Sequence, residues 1–500
     1  MIELLTNAEM AEADRLAIAG GISAIDLMEN AGRAVADWVA KNYPSGTRVV
    51  VAAGPGNNGG DGYVAARLLA GRGGDVRVLR AGGAKLKGAA AQAARRWSGP
   101  TEEATPGAFE GAGVIIDALF GAGLDRPVDG EMAALIGAMN GAGVPVIAVD
   151  LPSGVNGTSG AVMGAAVKAT DTVTFFRRKP GHLLLPGRLR CGKVHVAQIG
   201  IPDGVLEHIQ PRLFANIPAL WAHCFPVPRL EGHKYTRGHA VVVSGDISHT
   251  GAARLAARGA LRAGAGLVTI ASPREALAVN ATANLAVMVR PVDGPDELSQ
   301  FLSDPRVNAI ILGPGGGVGP AMRELVFAAL TGNRGVVLDA DALTSFAADP
   351  DVLAKAVRAR GDQPTIITPH HGEFNRLLNV IDEISKVNSK HKKTQIAARY
   401  SGTTVLFKGP DTVVASPDGR VAIADNAPPW LATAGSGDVL AGLVAGLLAQ
   451  GMPAFEAAAA AVWVHGEAGT ELGPGLIAED LPEALPAVYR RLFSGISAGV

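Results

Sequence analysis

Cysteine, surplus charge and long hydrophobic runs are all scarce in this 500-residue sequence. Its two cysteines, Cys191 and Cys224, are too few for a disulfide framework and lack the spacing of a metal site, as expected in a reducing compartment. No uninterrupted apolar run is long enough to cross a bilayer, and the amino terminus lacks a basic segment followed by an apolar core. We therefore expect a cytoplasmic protein with no membrane segment.

An excess of charge of either sign is also missing, since 45 Lys and Arg stand against 46 Asp and Glu. Nucleic acid and membrane surfaces are therefore not expected partners. The chain is long enough for two or three domains, and its 65 glycines and 48% hydrophobic residues indicate tight turns around buried cores. Small-molecule chemistry in a globular protein is the resulting expectation.

Residues 433–451 predict a glycine-rich turn that runs directly into a long apolar helix. Small residues of this helix would allow close packing against a neighbour: Ala441, Gly442, Ala445 and Gly446. The free N–H groups and the dipole at a helix N-terminus favour an anion, such as a phosphoryl group in transfer. Asp438, the acid of the turn, could take a proton from a reacting hydroxyl, or it could merely cap the helix.

In the amino-terminal half, a helical pattern covers residues 7–39, and a buried strand at 48–53 is followed by a glycine-rich loop at 54–62 and a helix at 63–69. The loop is neither a Walker motif nor a dinucleotide fingerprint. Oxygens of Asn57, Asn58 and Asp61 could bind a hard cation or substrate hydroxyls. The structural alternative is that the asparagines only tolerate left-handed turn conformations.

Two further predicted strands of this half, 114–119 and 144–149, also end in polar loops. Asp117 lies within an apolar run, where a carboxylate needs a partner or a cation. Asp150 follows the second of these strands. Because ligands bind beyond the carboxyl ends of parallel strands, the three loops should converge on one crevice.

The carboxyl-terminal half repeats the alternation of strands and helices after a proline-rich boundary near residues 210–228. A helix is predicted at 251–263, and strands at 239–244, 266–271, 309–312, 335–339, 364–368 and 404–407, which indicates a second parallel sheet with helices on both faces.

The loop at 408–412 offers a cation and a hydroxyl to a nucleotide phosphate, and 313–317 form a flexible turn that tolerates an anion. His370 and Glu373 could contact substrate, or His370 could simply start a helix. The basic run at 386–393 is interpreted as a solvated helix face, with nucleotide steering as the alternative.

The motifs GPGNNGGDG (54–62), DALFGAGL (117–124) and DLPSG (150–154) resemble the NAD(P)H-hydrate epimerase domain over about residues 1–210. The resemblance implies a potassium ion held by Asn58, Asp117 and Ser153, a ligand set of oxygens that suits a hard cation. We take Asp150 as the candidate for proton transfer, with Asp61 second. The hydrated nicotinamide nucleotide would contact Asn57, Asn58, Gly59, Gly60, Asp61, Gly121, Ala122, Gly123, Leu124, Asp125, Arg126, Pro127 and Asp150.

The motifs LDADAL (338–343), TPHHGEF (368–374), FKGPDTVV (407–414) and LATAGSGDVLAGLVAGLLAQG (431–451) resemble the ADP-dependent NAD(P)H-hydrate dehydratase of the ribokinase-like superfamily, over about residues 225–495. The resemblance implies AMP or ADP contacts at Lys408, Gly409, Pro410, Asp411, Thr412, Gly435, Ser436 and Gly437. The hydrated nucleotide would contact Ala252, Gly315 or Gly317, His370 and Asp438. Two positions depart from the family pattern: His371 stands in place of proline, and Gly316 in place of leucine.

Together these features predict two doubly wound parallel-sheet domains, Rossmann-like at 1–210 and ribokinase-like at 225–495. The expected function is repair of hydrated NADH and NADPH (NADHX and NADPHX), by epimerisation at C6 and ADP-dependent dehydration of the S form, giving AMP and phosphate. Magnesium is expected with ADP, and a homo-oligomer is expected. The alternatives are a ribokinase-like kinase of a vitamin-precursor alcohol fused to a nucleotide-binding domain, and a non-catalytic nucleotide sensor.

Overall fold

The computed structural model describes residues 1–83, 85–124 and 126–497. The chain divides into two compact units: the first contains Glu3–Leu213, and the second begins at Phe214. Each unit is an α/β fold with a largely parallel sheet, as predicted. None of the described helices is both long and apolar enough to cross a membrane.

The first unit alternates short strands and helices. Its elements are β1 (Glu3–Leu4), α1 (Asn7–Ala19), α2 (Ala24–Asn42), β2 (Val49–Ala53), α3 (Asn57–Gly71), β3 (Val76–Arg80), α4 (Gly88–Arg95), β4 (Thr101–Glu103), β5 (Val114–Ala118), α5 (Gly130–Gly141), β6 (Val146–Val149), β7 (Asp171–Phe175), α6 (Arg188–Cys191), β8 (Lys193–Ala197) and α7 (Val205–Ile209). Among the described residues, β4-β3-β2-β5-β6-β7-β8 form a parallel sheet in that order. The order reverses between β2 and β5, which is where a doubly wound sheet opens a crevice for ligands.

Two predictions for this unit were wrong in detail. The helical pattern at 7–39 is two helices, because the chain turns at Gly21 (φ 103°) and Ser23 then caps α2. The predicted loop at 54–62 is mostly helix, since α3 begins at Asn57. Its glycines serve close packing more than turning: a Cβ at Gly59 would lie 2.0 Å from the carbonyl oxygen of Gly54.

The second unit is larger and again alternates strands and helices. The chain passes from the first unit to the second within β9 (Leu213–Ala215). Its elements are β10 (His239–Val243), α8 (Thr250–Arg262), β11 (Leu267–Ser272), α9 (Leu277–Ala283), β12 (Met288–Pro291), α10 (Gly294–Leu302), β13 (Ala309–Leu312), α11 (Pro320–Ala329), β14 (Gly335–Leu338), α12 (Ala340–Thr344), α13 (Pro350–Arg358), β15 (Thr365–Ile367), α14 (His371–Leu377), α15 (Asp382–Ser385), α16 (Lys390–Ser401), β16 (Thr404–Phe407), β17 (Val413–Ala415), β18 (Val421–Ile423), α17 (Ser436–Ala449), α18 (Ala454–Leu472) and α19 (Leu481–Ser497).

The sheet of the second unit runs β18-β17-β16-β15-β14-β13-β10-β11-β12. The strands from β16 to β12 are parallel, as predicted. The strands β17 and β18 add an antiparallel edge that the sequence analysis did not anticipate. Each of these strands is three residues long, and β17 follows the 408–412 loop directly, returns the chain along β16 and so holds that loop at the carboxyl end of β16.

The apolar helix α17 packs directly on α8, and glycines make the contact possible. A Cβ at Gly442 would lie 2.1 Å from the carbonyl oxygen of Ala256, and one at Gly446 would lie 2.5 Å from that of Ala260. Gly259 of α8 approaches the backbone of α17 equally closely, since its Cβ would lie 2.6 Å from the carbonyl oxygen of Val439. The predicted close packing of this helix is confirmed.

Replacing Gly442 by alanine should therefore destabilise the second unit. The new methyl group would collide with the Ala256 carbonyl and push α17 away from α8, at a cost of about 1–3 kcal/mol in free energy of unfolding. Gly251→Ala is the matched control, because no atom lies within 4 Å of a Cβ at that position of α8. Urea unfolding followed by circular dichroism measures both, and equal stability of the two variants would contradict this account of the packing.

Candidate active sites

The polar loops of the first unit meet at the carboxyl ends of β5 and β6, beside the N-terminus of α3. The centre of this region is Asp117, whose side chain is fully buried within β5. Its carboxylate accepts hydrogen bonds from the hydroxyl of Ser153 at 2.5 Å and from the amide of Ser153 at 2.7 Å. Burial raises the pKa of Asp117 to about 6 despite these bonds. Ser153 is therefore a partner of the buried Asp117 carboxylate, and a cation beside it would lower that pKa further.

Asn58 lies on the same side of this crevice and is also buried. Its Nδ2 atom has no hydrogen-bond partner within the described residues. A Cβ at Gly121 would lie 2.9 Å from Asn58 Oδ1 and 3.4 Å from Asp150 Oδ2, so only glycine fits between these two side chains. The described residues contain no cluster of three His, Cys, Asp or Glu side chains able to hold a metal. One carboxylate with amide and hydroxyl oxygens fits a monovalent hard cation better than a transition metal.

Asp150 lies in a network that the sequence analysis did not predict. Its Oδ1 atom accepts hydrogen bonds from Lys179 Nζ at 2.5 Å and from Thr174 Oγ1 at 2.9 Å, and its Oδ2 atom accepts one from the amide of Ala122 at 3.2 Å. Burial alone would raise the pKa of Asp150, but the charge of Lys179 outweighs it and lowers the pKa. Asp150 is therefore an ionised carboxylate at neutral pH.

Two further carboxyl groups behave in the opposite way. Burial, together with the charges of Asp150 and Asp14, raises the pKa of Asp61 well above its usual range. Burial also raises the pKa of Asp14 to about 6, with Lys179 opposing the shift. Carboxyl groups with pKa values pushed apart are typical of acid and base pairs in active sites. The crevice thus combines an ionised carboxylate with carboxyl groups that retain protons more readily.

The other predicted contact residues of this unit differ in exposure. Asn57, Gly123, Arg126 and Pro127 are exposed, whereas Gly59, Gly60 and Leu124 are buried, and Gly121 and Ala122 are partly exposed. The buried glycines are explained by packing, since a Cβ at Gly60 would lie 2.6 Å from the side chain of Met28. Asp125 lies outside the described residues.

Sequence analysis missed Lys179, Thr174, His182 and Asp14. Lys179 and His182 lie just after β7, and Asp14 lies on α1, far along the chain from the motifs. Lys179 lies in a basic run, residues 177–179, just after the fully buried strand β7, which was the available signal, because a buried lysine needs a carboxylate partner.

In the second unit, the glycine-rich turn and Asp438 lie at the N-terminus of α17. Gly435 (φ 85°) occupies the N-cap position, and no side chain caps this helix. Asp438 is the third residue of the helix, so the interpretation of Asp438 as a cap was wrong. The amides of Gly437 and Asp438 belong to the first turn, where helix geometry leaves N–H groups free to bind an anion.

A lysine with 17% of its side chain exposed, Lys408, lies close enough to Asp438 for their charges to interact. Lys408 Nζ donates a hydrogen bond to Asp339 Oδ1 at 2.6 Å and lies 4.0 Å from Glu373 Oε2. It would also lie 3.5 Å from a Cβ at Gly437, which places it beside the glycine turn. Burial alone would lower the pKa of Lys408, but Asp339 and Glu373 outweigh it and raise the pKa.

The same surroundings tune Asp438. Burial and the charge of Asp339 raise the pKa of Asp438 to about 6, while Lys408 opposes the shift. Its carboxyl group is therefore mostly ionised at neutral pH yet basic enough to accept a proton from a hydroxyl. This value is the one expected of a general base rather than of an exposed surface acid.

His370 is the N-cap of α14. Its Nδ1 atom accepts hydrogen bonds from the amides of Gly372 and Glu373, and the Glu373 carboxylate accepts one from the amide of His370. The helix-start interpretation is thus correct for its backbone role. Because Nδ1 is an acceptor, the ring proton lies on Nε2, and the side chain remains about half exposed. His370 therefore offers an N–H donor to a ligand at the carboxyl end of β15.

The predicted nucleotide loop is held by its own side chains. Thr412 Oγ1 bonds to the amide and the carbonyl of Gly409. Lys390 Nζ donates to the carboxylate and the carbonyl of Asp411, at 2.7 Å and 2.9 Å. The interpretation of 386–393 as a solvated helix face was therefore wrong at Lys390, which anchors this loop. Pro410 is exposed, and Gly409 would meet Lys390 Nζ at 2.6 Å if it carried a Cβ.

The glycines of the 313–317 turn face different neighbours. A Cβ at Gly315 (φ 64°) would lie 3.4 Å from that of Ala252, which brings these two predicted contact residues together. Gly316 faces the side chain of Met322, and the amide of Gly317 donates to Asp341 Oδ2 at 3.0 Å. Gly315 is thus the glycine of the turn that adjoins Ala252.

Ser436 presents its backbone rather than its hydroxyl to the turn. The side chain is buried, and Ser436 Oγ lies 3.1 Å from Nε2 of His465 on α18. Burial lowers the pKa of His465 to about 4, so the ring is neutral. His465 was missed because an isolated histidine within the apolar pattern of α18 carries no motif.

Comparison with known proteins gives matches over both units. The model of the NAD(P)H-hydrate dehydratase family matches residues 240–485, and that of the YjeF-related protein N-terminus matches residues 24–181. In the solved structures, 56% of this chain is similar to 98% of the ADP/ATP-dependent NAD(P)H-hydrate dehydratase from Bacillus subtilis, co-crystallised with ATP/Mg2+, at 26% identity and a TM-score of 0.47.

Curated relatives match almost from end to end. The bifunctional NAD(P)H-hydrate repair enzyme Nnr of Moorella thermoacetica is 37% identical over 98% of this chain and 97% of its own length. The enzyme of the same name from Coxiella burnetii is 36% identical over 96% of this chain and 98% of its own length. The resemblance drawn from the sequence motifs is confirmed: this chain belongs to the family of bifunctional NAD(P)H-hydrate repair enzymes.

Proposed function

We propose that this chain repairs hydrated NADH and NADPH by two reactions, one in each unit. The first unit, with its domain at about 1–210, interconverts the R and S forms at C6. The second, at about 225–495, dehydrates the S form with ADP as phosphoryl donor, giving AMP and phosphate. The observation that carries the proposal is Asp438, an acid with raised pKa that caps nothing and faces Lys408 beside free helix amides.

In the second unit, Asp438 takes the proton of the C6 hydroxyl as its oxygen attacks the terminal phosphorus of ADP. The leaving AMP oxygen takes up the electron pair of the bond that breaks. The amides of Gly437 and Asp438 and the ammonium group of Lys408 stabilise the charge on the transferred group. The C6–O bond then breaks with phosphate as leaving group, and loss of the C5 proton restores the dihydropyridine ring. Ala252, Gly315 and His370 would hold the hydrated ring, and the 408–412 loop with Gly435 and Ser436 would hold the nucleotide.

Magnesium would arrive with the phosphates of ADP, where it neutralises their charge. The carboxylates of Asp339 and Asp438, which flank Lys408 beside the glycine turn, are oxygen donors of the kind that a magnesium ion accepts. A small-molecule kinase would use the same acid and the same helix terminus. The two differ in product, since a kinase releases a stable phosphate ester and the dehydratase releases inorganic phosphate and the reduced nucleotide.

Replacing Asp438 by asparagine should abolish dehydration. Removal of the proton acceptor should lower kcat for S-NADHX with ADP by about 100- to 10,000-fold. The return of absorbance at the NADH wavelength and the release of inorganic phosphate measure the reaction. Epimerisation by the same variant is the control and should be unchanged; dehydration at the normal rate would remove Asp438 from this role, and accumulation of a phosphate ester by the unmodified chain would favour a kinase.

Dehydration should also depend on pH through Asp438. Because the carboxylate form is the active one and its pKa is about 6, kcat/KM should be constant above that pH and fall roughly tenfold per unit below it. In Lys408→Met the positive charge that opposes the shift is lost, so this acid limb should move to higher pH. A profile measured at saturating ADP tests both, and an acid limb that stays in place in the variant would show that Lys408 does not act on Asp438.

In the first unit, we propose that Asp150 and Asp61 carry the protons of epimerisation. In a ring-opening step, ionised Asp150 takes the proton of the C6 hydroxyl, the O–H electron pair forms the C6 carbonyl, and the C6–N1 pair moves to N1. Asp61 donates a proton to N1, and attack of N1 on the other face of the carbonyl reverses each transfer. Their opposite pKa shifts suit an acceptor and a donor.

A potassium ion at Asn58, Asp117 and Ser153 would supply a fixed positive charge at the carboxyl end of β5. Exchange of potassium for tetramethylammonium, whose methyl groups prevent direct contact between the cation and oxygen ligands, should therefore slow epimerisation and leave dehydration unchanged. HPLC separation of the R and S forms follows the first reaction. In Asp117→Asn the site loses its carboxylate, so the response to potassium should disappear; an undiminished response would place the ion elsewhere.

A further inference from the structure

Lys179 is among the most deeply buried charged side chains of the protein, with a side-chain exposure of 1%. Its ammonium group donates to Asp150 Oδ1 at 2.5 Å, to Thr174 Oγ1 at 3.0 Å and to the carbonyl oxygen of Phe175 at 3.4 Å. Three donors and three acceptors are therefore matched. The carboxylate and the two other oxygens replace the water shell that this ammonium group loses on burial.

The same segment also fixes the backbone of Asp150. Asp150 has a left-handed conformation (φ 66°), which costs energy in a residue other than glycine and persists only where neighbours enforce it. His182 Nε2 lies 2.9 Å from the carbonyl oxygen of Asp150, and His182 Nδ1 accepts a hydrogen bond from the amide of Lys179 at 2.9 Å. The imidazole thus donates through Nε2, and it links the Asp150 backbone to the residue that binds its side chain.

These contacts leave the two oxygens of Asp150 with different tasks. Oδ1 is occupied by Lys179 and Thr174, whereas Oδ2 points to the amide of Ala122 and towards Gly121, on the side where Asn58 lies. Because a carboxylate is planar, the hydrogen bonds that hold Oδ1 also fix the direction of Oδ2. Buried partners orient catalytic side chains in this way in other active sites. Oδ2 is therefore the atom available to a substrate hydroxyl.

We propose that Lys179 is the positioning residue of epimerisation: its buried ammonium group holds Asp150 ionised and directs Oδ2 at the C6 hydroxyl. This inference rests on the proposed function of the first unit. With 1% of its side chain exposed, Lys179 is assigned no substrate contact, and its printed hydrogen bond to a carboxylate is the one to Asp150. The hydroxyl of Thr174 completes the arrangement by bridging the two charges.

The groups that face Asp150 decide what removal of Lys179 would do. Asp61 from α3 and Asp14 from α1 are acidic, and the remaining titratable neighbour, His182, is neutral because burial lowers its pKa to about 4. Without the ammonium group, no positive charge among these neighbours opposes the burial of Asp150. Its carboxyl group should then bind a proton, and acceptance of the substrate proton should be lost at neutral pH.

The experiment uses the full chain with Lys179→Met, which removes the charge at similar length, and Lys179→Gln, which keeps a hydrogen-bond donor. R-NADHX is supplied without ADP, so that only epimerisation runs, and its conversion to the S form is followed by HPLC from pH 5 to pH 10 above the uncatalysed background. Both variants should be at least about tenfold slower at pH 7, with the acid limb of kcat/KM moved up by about 1–3 pH units and activity recovering at high pH.

Thr174→Val is the matched control, because it removes a hydrogen bond of the same network and keeps the charge. Because the Thr174 hydroxyl also lowers the pKa of Asp150, but less than the charge of Lys179 does, its acid limb should move up by clearly less than the limb of either lysine variant. An unmoved acid limb in Lys179→Gln or Lys179→Met, at whatever rate, would overturn the inference. Absence of catalysed epimerisation in the unmodified chain would instead overturn the proposed function, so the two failures are distinguishable.

Discussion

The constraint on which both sites depend is the cost of burying a carboxylate. In each unit an aspartate at the carboxyl end of a parallel strand is removed from water and neutralised by a lysine that is itself nearly buried: Asp150 by Lys179, and Asp339 by Lys408. Neither charge of such a pair is stable alone in an apolar surrounding, so each fixes the position of the other. The chemistry follows from the imbalance that remains, because each crevice holds more carboxyl groups than ammonium groups.

That imbalance shifts the pKa values of the groups to which we assign proton transfer. In the second unit Lys408 is shared by Asp339, Glu373 and Asp438, and Asp438 is left with a pKa of about 6. In the first unit Lys179 satisfies Asp150, and Asp61 is left with a pKa well above its usual range. In the mechanism that we propose, the carboxyl group left over is the base in the second unit and the acid in the first unit, where the base is Asp150 itself.

Much of the fold was predictable because it depends on local patterns. Apolar runs of four to six residues followed by polar loops located strands such as β2, β5, β13 and β16. The small residues of α17 indicated that it packs closely against a neighbour, which the structure identifies as α8. The errors occurred where a pattern permits two structures. Asn57 to Asp61 were taken as loop because glycines usually mark turns, yet there Gly59 and Gly60 allow a helix to pack against the backbone of residue 54 and the side chain of Met28.

The sequence alone determined the two α/β units, the loops at their strand ends and the residues of the motifs, since strand periodicity and glycine placement are properties of neighbouring residues. Only the tertiary structure decided which groups lie opposite one another. Lys179 faces Asp150 across 29 positions of sequence, and Lys408 faces Asp339 across 69. The burial of these residues and the distances between them set the pKa values of the carboxyl groups in both sites. Both are properties of the folded chain, because they depend on which strands are neighbours in the sheet.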